Sequence, residues 1–184
     1  MAAHPADIVN FWRAAGEKRW FEKDDAFDAA IRLKFEPTHH AAARGDYDHW
    51  TLCADGALAL LILLDQFPRN LYRDSGHAFA TDPKARRTAL EAIERGHHRS
   101  FEASLRQFFY LPFEHSEDPA DQARGVALCE QEKAETGDVE LLKWALIHHD
   151  IIARFGRFPH RNRALGRATT AEEQAFLDEG GFAG

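Results

Sequence analysis

Residues 55–70, which read DGALALLILLDQFPRN, decide the fold. The eight consecutive apolar residues from Ala57 to Leu64 leave no polar face, so this segment must be buried on all sides. A short apolar run also fits a strand of a parallel sheet. Leucine and alanine outnumber valine and isoleucine here, and that composition favours a helix. We expect a helix from about Gly56 to Gln66, with Asp55 as its N-cap.

Outward from this run, helix signals alternate with short connectors in both directions. Helical spacing of apolar residues, N-cap residues and glycine stops predict seven further helices, over residues 7–14, 25–37, 83–95, 100–110, 119–134, 138–155 and 170–178. No β-rich segment competes with them. The pattern predicts an all-α fold of about eight helices, arranged as stacked helical hairpins in a single domain over residues 1–184.

The composition is that of an ordinary globular domain. The chain has 184 residues, of which 45% are hydrophobic and 29% are charged. The longest apolar run is far shorter than the roughly 20 residues that a bilayer span needs, so we expect no membrane insertion. The segment Met1–Asp7 lacks the basic and apolar regions of a secretory signal, which predicts a cytoplasmic protein. Cys53 and Cys129 lie far apart in sequence, outside any CxxC motif, and we expect both to be buried free thiols.

Charge is distributed unevenly along the chain. The formal net charge of -7 disfavours binding to nucleic acid or to an anionic membrane surface. The stretch from Ile151 to Ala171 nevertheless contains no acidic residue and holds Arg154, Arg157, Arg161, Arg163 and Arg167. A concentration of arginine in an acidic protein calls for an explanation.

Three connectors share a similar composition. They are residues 65–70, 111–118 and 156–162, and the first and third both contain Phe-Pro followed by Arg-Asn. Proline lacks an N–H donor and clashes with the preceding turn, so we expect each proline to stop a helix. If the helical hairpins stack in parallel, these loops emerge on one side and their polar groups converge.

Asp65 and His148 are the two polar residues whose positions in the predicted helices need an explanation. A carboxylate after a buried helix faces the negative end of the helix dipole, so Asp65 should have a cationic partner such as Arg69, Arg154 or Arg157. His148 falls on the apolar stripe of its helix and should face inward, as a satisfied core residue or as a ligand or catalyst. Asp150 lies one turn before Arg154, in the favourable order for an ion pair.

At these motifs the sequence resembles the bacterial family known as domain of unknown function 924, over nearly the whole chain. The resemblance is carried by Phe11-Trp12, Trp20-Phe21, Phe27-Asp28, Leu64 to Asn70, Glu114 to Asp118, Gln122, Arg154 to Asn162 and Leu165-Gly166-Arg167. It implies a tetratricopeptide-like fold of α-hairpins and no established activity. Trp20-Phe21 follows a short connector, a departure that suggests a trimmed N-terminal loop.

The first functional hypothesis is a site for a small anion, a phosphorylated or carboxylated metabolite. Arginine suits such a ligand because its planar guanidinium binds phosphate or carboxylate through two donors. Glu114, His115 and His160 are the candidate acid–base groups, because histidine titrates near neutral pH and burial raises the pKa of glutamate. The candidate ligand-binding residues are Asp65, Arg69, Asn70, His148, Arg154, Arg157, Arg161, Asn162 and Arg167.

Two alternatives stay open. Glu114, Glu117, Asp118 and Asp121 can neutralise the arginines internally, which would make the cluster a structural ion network. The chain can also be a scaffold for a protein or peptide partner, since stacked hairpins present grooves and an arginine-rich loop accepts acidic tails. The absence of a regular 34-residue repeat counts against the scaffold.

Metal and RNA sites have weaker support. His149-Asp150 prompts comparison with the metal-dependent phosphohydrolases of the helical His-Asp class, but such a site needs further histidine and aspartate ligands. We therefore predict no metal site, and the sequence names no cofactor. The phenylalanines of Arg154 to Phe158 occupy helical and proline-anchored positions, which indicates core packing and not RNA stacking.

Overall fold

The computed structural model describes residues 3–182 and confirms the all-α fold class, with no β-strand in that range. Also within that range, no helix has both the length and the apolar composition that crossing a bilayer requires. The α-helices are α1 (Pro5–Phe21), α2 (Asp25–Arg44), α3 (Ala54–Leu61), α4 (Phe67–Leu71), α5 (Asp82–Glu94), α6 (Ala103–Arg106), α7 (Leu111–Glu114), α8 (Pro119–Thr136), α9 (Glu140–Phe155) and α10 (Ala171–Asp178).

The chain divides into two compact units. Of the described residues, the first unit comprises those up to Arg73 together with His77–Pro112. The second comprises Asp74–Gly76 and the residues from Phe113 onward. The single domain and the tetratricopeptide-like stacking stay predictions, and each unit is described below by itself.

The centre of the first unit is the apolar run that the sequence singles out. Every residue from Ala57 to Leu64 is at most 1% exposed, as expected for a helix without a polar face. The first part of the run belongs to α3, which packs against α1 and α5. The helix begins two residues earlier than predicted, and Cys53 occupies the N-cap position that was expected for Asp55.

The helix also continues past Gln66, where the sequence predicts its end. Ile62–Gln66 forms a π-helical turn, in which the Phe67 N–H donates to the Ile62 carbonyl, and α4 follows directly. Pro68 does not stop the helix because it lies in the first turn of α4, where a missing N–H is tolerated. Pro37 within α2 likewise does not end its helix. The helix before Pro112 does end, at Arg106, followed by a 3-10 turn over Gln107–Phe109, and Pro112 lies in the first turn of α7.

Side chains from neighbouring elements contact the carbonyl groups of the π turn. His39 Nδ1 lies 2.8 Å from the Leu63 carbonyl oxygen, and the Thr81 hydroxyl donates to the Leu64 carbonyl at 2.6 Å. Proline at position 68 removes one backbone donor from this part of the helix. Burial lowers the pKa of His39, and its hydrogen bond to Leu63 opposes that effect only in part.

Gly16 breaks α1, as predicted, and the break positions two tryptophans. Its φ of 75° belongs to the left-handed region that glycine tolerates without strain. The chain resumes a helical path, so Trp20 stacks on Trp12 with ring centroids 5.9 Å apart. The Trp20 indole N–H donates to the Trp12 carbonyl at 2.7 Å.

The second unit contains the antiparallel hairpin of α8 and α9, followed by α10. The Asp118 side chain caps α8, and Asp138 accepts a hydrogen bond from the first residue of α9, as the sequence predicts. Thr170 caps α10 and forms a reciprocal capping box with Glu173. Phe158, Ile151 and Ile152 form a buried apolar cluster at the end of α9.

Candidate functional site

The predicted site residues fall into both units. Asp65, Arg69 and Asn70 belong to the first unit. Glu114, His115, His148, Arg154, Arg157, His160, Arg161, Asn162 and Arg167 belong to the second unit. The two groups are therefore described separately.

Arg69 is the cation that the structure pairs with Asp65. The Asp65 carboxylate is almost fully buried on the π turn, and its Oδ1 lies 3.4 Å from Arg69 Nη1. The Arg69 guanidinium also donates to both Asp82 carboxylate oxygens, at 3.0 and 3.1 Å. Burial acts to lower the pKa of Arg69, but the charges of Asp65 and Asp82 outweigh it and raise that pKa. Arg69 is thus a permanent cation held between two carboxylates of its own unit.

Asn70 participates in a different contact of the first unit. Its amide donates to Asp28 Oδ1 at 2.8 Å, and Arg73 Nε donates to Asp28 Oδ2 at 2.7 Å. These three residues line an open groove of about 540 Å³ along α2. Arg32 and Leu33 line the same groove.

In the second unit, Arg157 and Asn162 converge on a buried glutamate. Arg157 donates to both carboxylate oxygens of Glu173, at 2.6 and 2.8 Å, and Asn162 donates at 3.2 Å. The hydrogen bonds from Arg157, the Thr170 N–H and Asn162 lower the pKa of Glu173 to about 2. Glu173 in turn raises the pKa of Arg157.

Arg167 is held by a second glutamate. Its guanidinium donates to Glu117 at 2.7 and 3.0 Å, and the Phe158 N–H donates to the same carboxylate at 2.8 Å. Burial opposes ionisation of Glu117, but the hydrogen bonds from Arg167 and Phe158 lower its pKa on balance. Arg167 Nε also donates to Asn162 at 3.0 Å. We call the set Glu117, Arg157, Asn162, Arg167 and Glu173 the glutamate–arginine network.

Arg154 lies on the surface and takes no part in this network. It pairs with Glu172 at 3.0 Å, and both side chains are more than half exposed. The prediction that Arg154 pairs with Asp150 is therefore wrong. Asp150 lies beside His149 Nδ1 at 3.3 Å instead.

Three histidines lie around Phe158 in the second unit. The rings of His148 and His160 each lie 5.6 Å from the Phe158 ring, and the His115 ring lies 6.3 Å from that of His148. His148 is buried, as predicted from its position on the apolar stripe. We call these three residues, with Glu114 and Arg161, the histidine cluster.

The tautomer of His148 follows from its contacts. Nδ1 lies 2.8 Å from the Trp144 carbonyl oxygen, which can only accept, so Nδ1 carries a hydrogen. Glu114 Oε2 lies 3.8 Å from the same nitrogen. These two contacts at Nδ1 fix the orientation of the imidazole ring.

The buried Glu114 carboxylate also contacts Cys129. The thiol donates to Glu114 Oε1 at 3.6 Å. Burial raises the pKa of Cys129, and the negative charge of Glu114 raises it further. Cys129 is therefore a neutral donor and not a thiolate nucleophile. Cys53, expected to be buried as well, is exposed.

Arg161 links the arginine-rich stretch to the histidine cluster. It is buried, its Nη1 donates to the His115 carbonyl at 3.0 Å, and its guanidinium lies over the Phe158 ring at 4.4 Å. It is also close enough to Glu117 to contribute to the lowered pKa of that residue. Arg161 thus fixes the backbone at His115 beside the Phe158 ring.

The main features that the sequence analysis missed are the acidic partners. Asp82, Glu172 and Glu173 hold three of the predicted ligand-binding arginines, and Asp28 holds Asn70. Of the four acidic residues expected to neutralise the arginines, Glu117 pairs with Arg167. The Thr-x-x-Glu capping motif at residues 170–173 signals a helix start and gives no indication of an ion pair.

The described residues offer no obvious place for a metal. Within residues 3–182, no three histidine, cysteine, aspartate or glutamate side chains are grouped so that they could hold a metal ion. The structure brings together imidazole, carboxylate and guanidinium groups, which are suited to proton transfer and hydrogen bonding.

The fold and these clusters define an all-α protein with helical hairpins and a buried histidine cluster. The chain belongs to the family of bacterial proteins of unknown function DUF924, whose model matches residues 8–181. A solved structure of a protein of unknown function from Agrobacterium tumefaciens is similar to it, with 50% identity and a TM-score of 0.89. The match covers 95% of this chain and 97% of that one. No curated protein matches the chain.

Proposed function

We propose that the second unit binds a small phosphorylated or carboxylated metabolite at the histidine cluster. The observation that carries the proposal is the convergence of three imidazoles with a buried carboxylate and a buried guanidinium. Clustered titratable groups with low exposure are characteristic of ligand and catalytic sites, although structural networks also produce them. A metabolite ligand also fits the cytoplasmic location that the N-terminal sequence predicts.

Arg161 is the cation assigned to the ligand in this proposal. Arg161 is the arginine of the histidine cluster, because its Nη1 donates to the His115 backbone carbonyl and its guanidinium lies over the Phe158 ring. Arg69, Arg157 and Arg167 direct their donors to carboxylates that lie outside the histidine cluster. Imidazolium and guanidinium groups together complement a ligand with one or two negative charges.

If the protein also catalyses a reaction of the bound molecule, the same cluster supplies the acid–base groups. His148 is oriented through Nδ1 by the Trp144 carbonyl and lies beside Glu114. His115 and His160 are the other two imidazole rings of the cluster, and imidazole is the side chain that most often transfers protons in enzymes. Hydrolysis or transfer on the anionic group is the reaction class that such residues serve.

A thermal-shift screen tests the proposal. Purified full-length protein is heated with phosphorylated metabolites, nucleotides and dicarboxylates at neutral pH. A ligand at about 100 times its Kd adds roughly 2.7 kcal/mol of stability, which raises the Tm by several degrees. The histidine Cε1–H resonances of the hit complex should then shift at His148 or His160.

Two variants and a control make the screen decisive. Arg161→Lys keeps the positive charge but loses the planar guanidinium with its paired N–H donors. His160→Gln removes an imidazole ring. Both variants should therefore bind the ligand more weakly. Arg154→Ala breaks only a surface pair and should bind as tightly as the parent. Equal Tm shifts in all four proteins would place the ligand elsewhere, and no shift with any anion would count against the proposal.

A second candidate function is peptide binding in the groove of the first unit. The groove has an apolar wall that includes Leu33, a side chain that is 84% exposed, and a rim with Arg32 and Arg73. Exposed leucine beside arginine suits an extended acidic peptide, whose carboxylates would compete with Glu36 for Arg32 and with Asp28 for Arg73. This role uses surface residues and is independent of the histidine cluster.

Fluorescence anisotropy with labelled acidic peptides tests the groove. Leu33→Glu places a negative charge on the apolar wall and should abolish binding. Leu52→Glu changes another exposed leucine of the same unit, outside the groove, and is the matched control. Loss of binding in both variants, or in neither, would exclude this groove as the peptide site.

A further inference from the structure

The turn after α10 directs the chain back toward the histidine cluster. The Gly180 N–H donates to the Leu177 carbonyl at 3.1 Å, and the Gly181 N–H donates to the Phe176 carbonyl at 2.9 Å. Gly180 has a φ of 81°, in the left-handed region. This pair of hydrogen bonds is a Schellman motif, which ends the helix and reverses the chain.

Gly181 has no room for a side chain. A Cβ atom built there would lie 2.5 Å from the Phe176 carbonyl oxygen and 2.5 Å from its ring. The carbonyl belongs to the backbone of α10 and cannot move without disturbing the helix. Glycine at this position is therefore what allows the turn to close, and the turn determines where the next residue lies.

That next residue, Phe182, packs against two members of the histidine cluster. Its ring centroid lies 4.6 Å from that of His148 and 5.3 Å from that of His160, both with edge-to-face geometry. Trp144 lies on the same side, at 6.4 Å. Phe182 itself is only partly buried, so it has the histidines on one side and solvent on the other.

We infer that Gly180, Gly181 and Phe182 form a strap that closes over His148 and His160. A phenyl ring has no hydrogen-bonding group, so the strap can detach without leaving a buried polar atom of Phe182 unpaired. It can therefore open more easily than the glutamate–arginine network, whose members would each lose charged hydrogen bonds. A closed strap restricts access to both imidazoles.

The role of the strap in ligand entry rests on the proposed function, whereas its effect on histidine access does not. A ligand that reaches the imidazoles from this side must first displace Phe182. Its apparent affinity is then reduced by the fraction of time for which the strap is closed. Removing the ring should increase both histidine access and ligand affinity.

Chemical modification of histidine measures access without any ligand. The full-length protein is treated with diethyl pyrocarbonate, and peptide mass spectrometry follows the rates at His148 and His160. A strap that is closed for about nine-tenths of the time slows modification about tenfold. Phe182→Ala and Gly181→Ala should each remove most of that protection, the first by deleting the ring and the second by displacing it.

The controls separate access from unfolding. The exposed His49 of the first unit is an internal reference whose rate should not change. Leu165→Ala truncates an exposed apolar residue of the second unit, which also contains the strap, and should leave all the rates as in the parent. Parent-like rates at His148 and His160 in both strap variants would overturn the inference.

A ligand titration separates the strap from the proposed function. The probe is the best hit of the thermal-shift screen, or inorganic phosphate if the screen gives none. Faster modification with no anion binding in any variant supports the strap and counts against the proposed function. Binding of equal affinity in the parent and in Phe182→Ala would show that the strap does not control ligand entry.

Discussion

The glutamate–arginine network and the histidine cluster draw on the same short stretch of sequence, residues 157–167, yet they use it differently. Arg157 and Arg167 direct their donors to buried or half-buried carboxylates, whereas Arg161, between them in sequence, contacts a carbonyl and an aromatic ring. Arginine content alone therefore does not locate a ligand site. The positions of the acidic residues determine which arginines have a structural role.

The two clusters also differ in their chemical groups. Glu117 and Glu173 have lowered pKa values, so both carboxylates are ionised at neutral pH and pair with the cations of Arg167 and Arg157. The histidine cluster combines three imidazole rings with one carboxylate and one guanidinium. Stability should depend on the first cluster and ligand binding on the second.

The largest effect on stability is expected at Arg69 of the first unit. Like Arg157 and Arg167, Arg69 is paired with carboxylates of its own unit. Arg69→Ala leaves Asp65 and Asp82 without their shared cation, and the free energy of unfolding should fall by about 3–5 kcal/mol. Urea denaturation followed by circular dichroism measures the change. Arg44→Ala breaks an exposed pair with Asp46 in the same unit and should change stability by no more than about 0.5 kcal/mol. Equal effects would contradict a structural role for Arg69.

The next effect concerns the network itself. Glu173→Ala removes the acceptor for Arg157, Asn162 and the Thr170 N–H, and should lower the free energy of unfolding by about 2–4 kcal/mol. The adjacent Glu172→Ala affects only the surface pair with Arg154 and is the matched control. A loss below about 1 kcal/mol in Glu173→Ala would mean that the network is dispensable and that Arg157 is available to a ligand.

The dependence of stability on pH sharpens the same comparison. The pKa of Glu173 is about 2 in the folded chain and about 4.3 in an unfolded one. Its contribution is therefore complete above about pH 5 and is lost progressively as the pH falls toward 2. The urea midpoint of the parent should drop between pH 6 and pH 3 by more than that of Glu173→Gln. Parallel profiles would refute the assignment.

The smallest effect should come from Arg154, the arginine that belongs to neither cluster. Arg154→Ala should change the free energy of unfolding by no more than about 0.5 kcal/mol, because its pair with Glu172 is solvent-exposed. It should also leave anion binding unchanged in the thermal-shift assay. A loss of binding in this variant would move the ligand site to the surface of α9.

Most of the fold could be predicted from the sequence because its signals are local. The apolar run from Ala57 to Leu64, the caps at Asp118 and Thr170, and the break at Gly16 each act through neighbouring residues. The errors lie at Pro37 and Pro68, where proline was expected to end a helix. Tertiary contacts override that preference, and in the first turn of a helix the missing N–H has no partner to lose.

Less of the candidate site could be predicted. The inward position of His148 follows from helical periodicity, and the pairing of Asp65 with Arg69 follows from their spacing of four residues. The pairing of Arg157 with Glu173 joins residues 16 apart across a connector, and no periodicity indicates it. The Phe182 contacts depend on a two-glycine turn whose direction becomes evident only once α10 is placed.

The π turn at Ile62–Gln66 has a consequence for mutagenesis by deletion. A π turn contains one residue more than the α-helical turn it replaces, so it accommodates what amounts to a single inserted residue. Deleting one residue there would let the helix run on as regular α-helix. The residues after the deletion, including Arg69 and Asn70, would then keep their direction relative to α3, whereas deleting one residue from a regular α-helical turn rotates everything after it by about 100° around the helix axis. The segment thus sets the rotational phase of the residues that follow it, and a helical wheel drawn through it with a constant period would assign them to the wrong face.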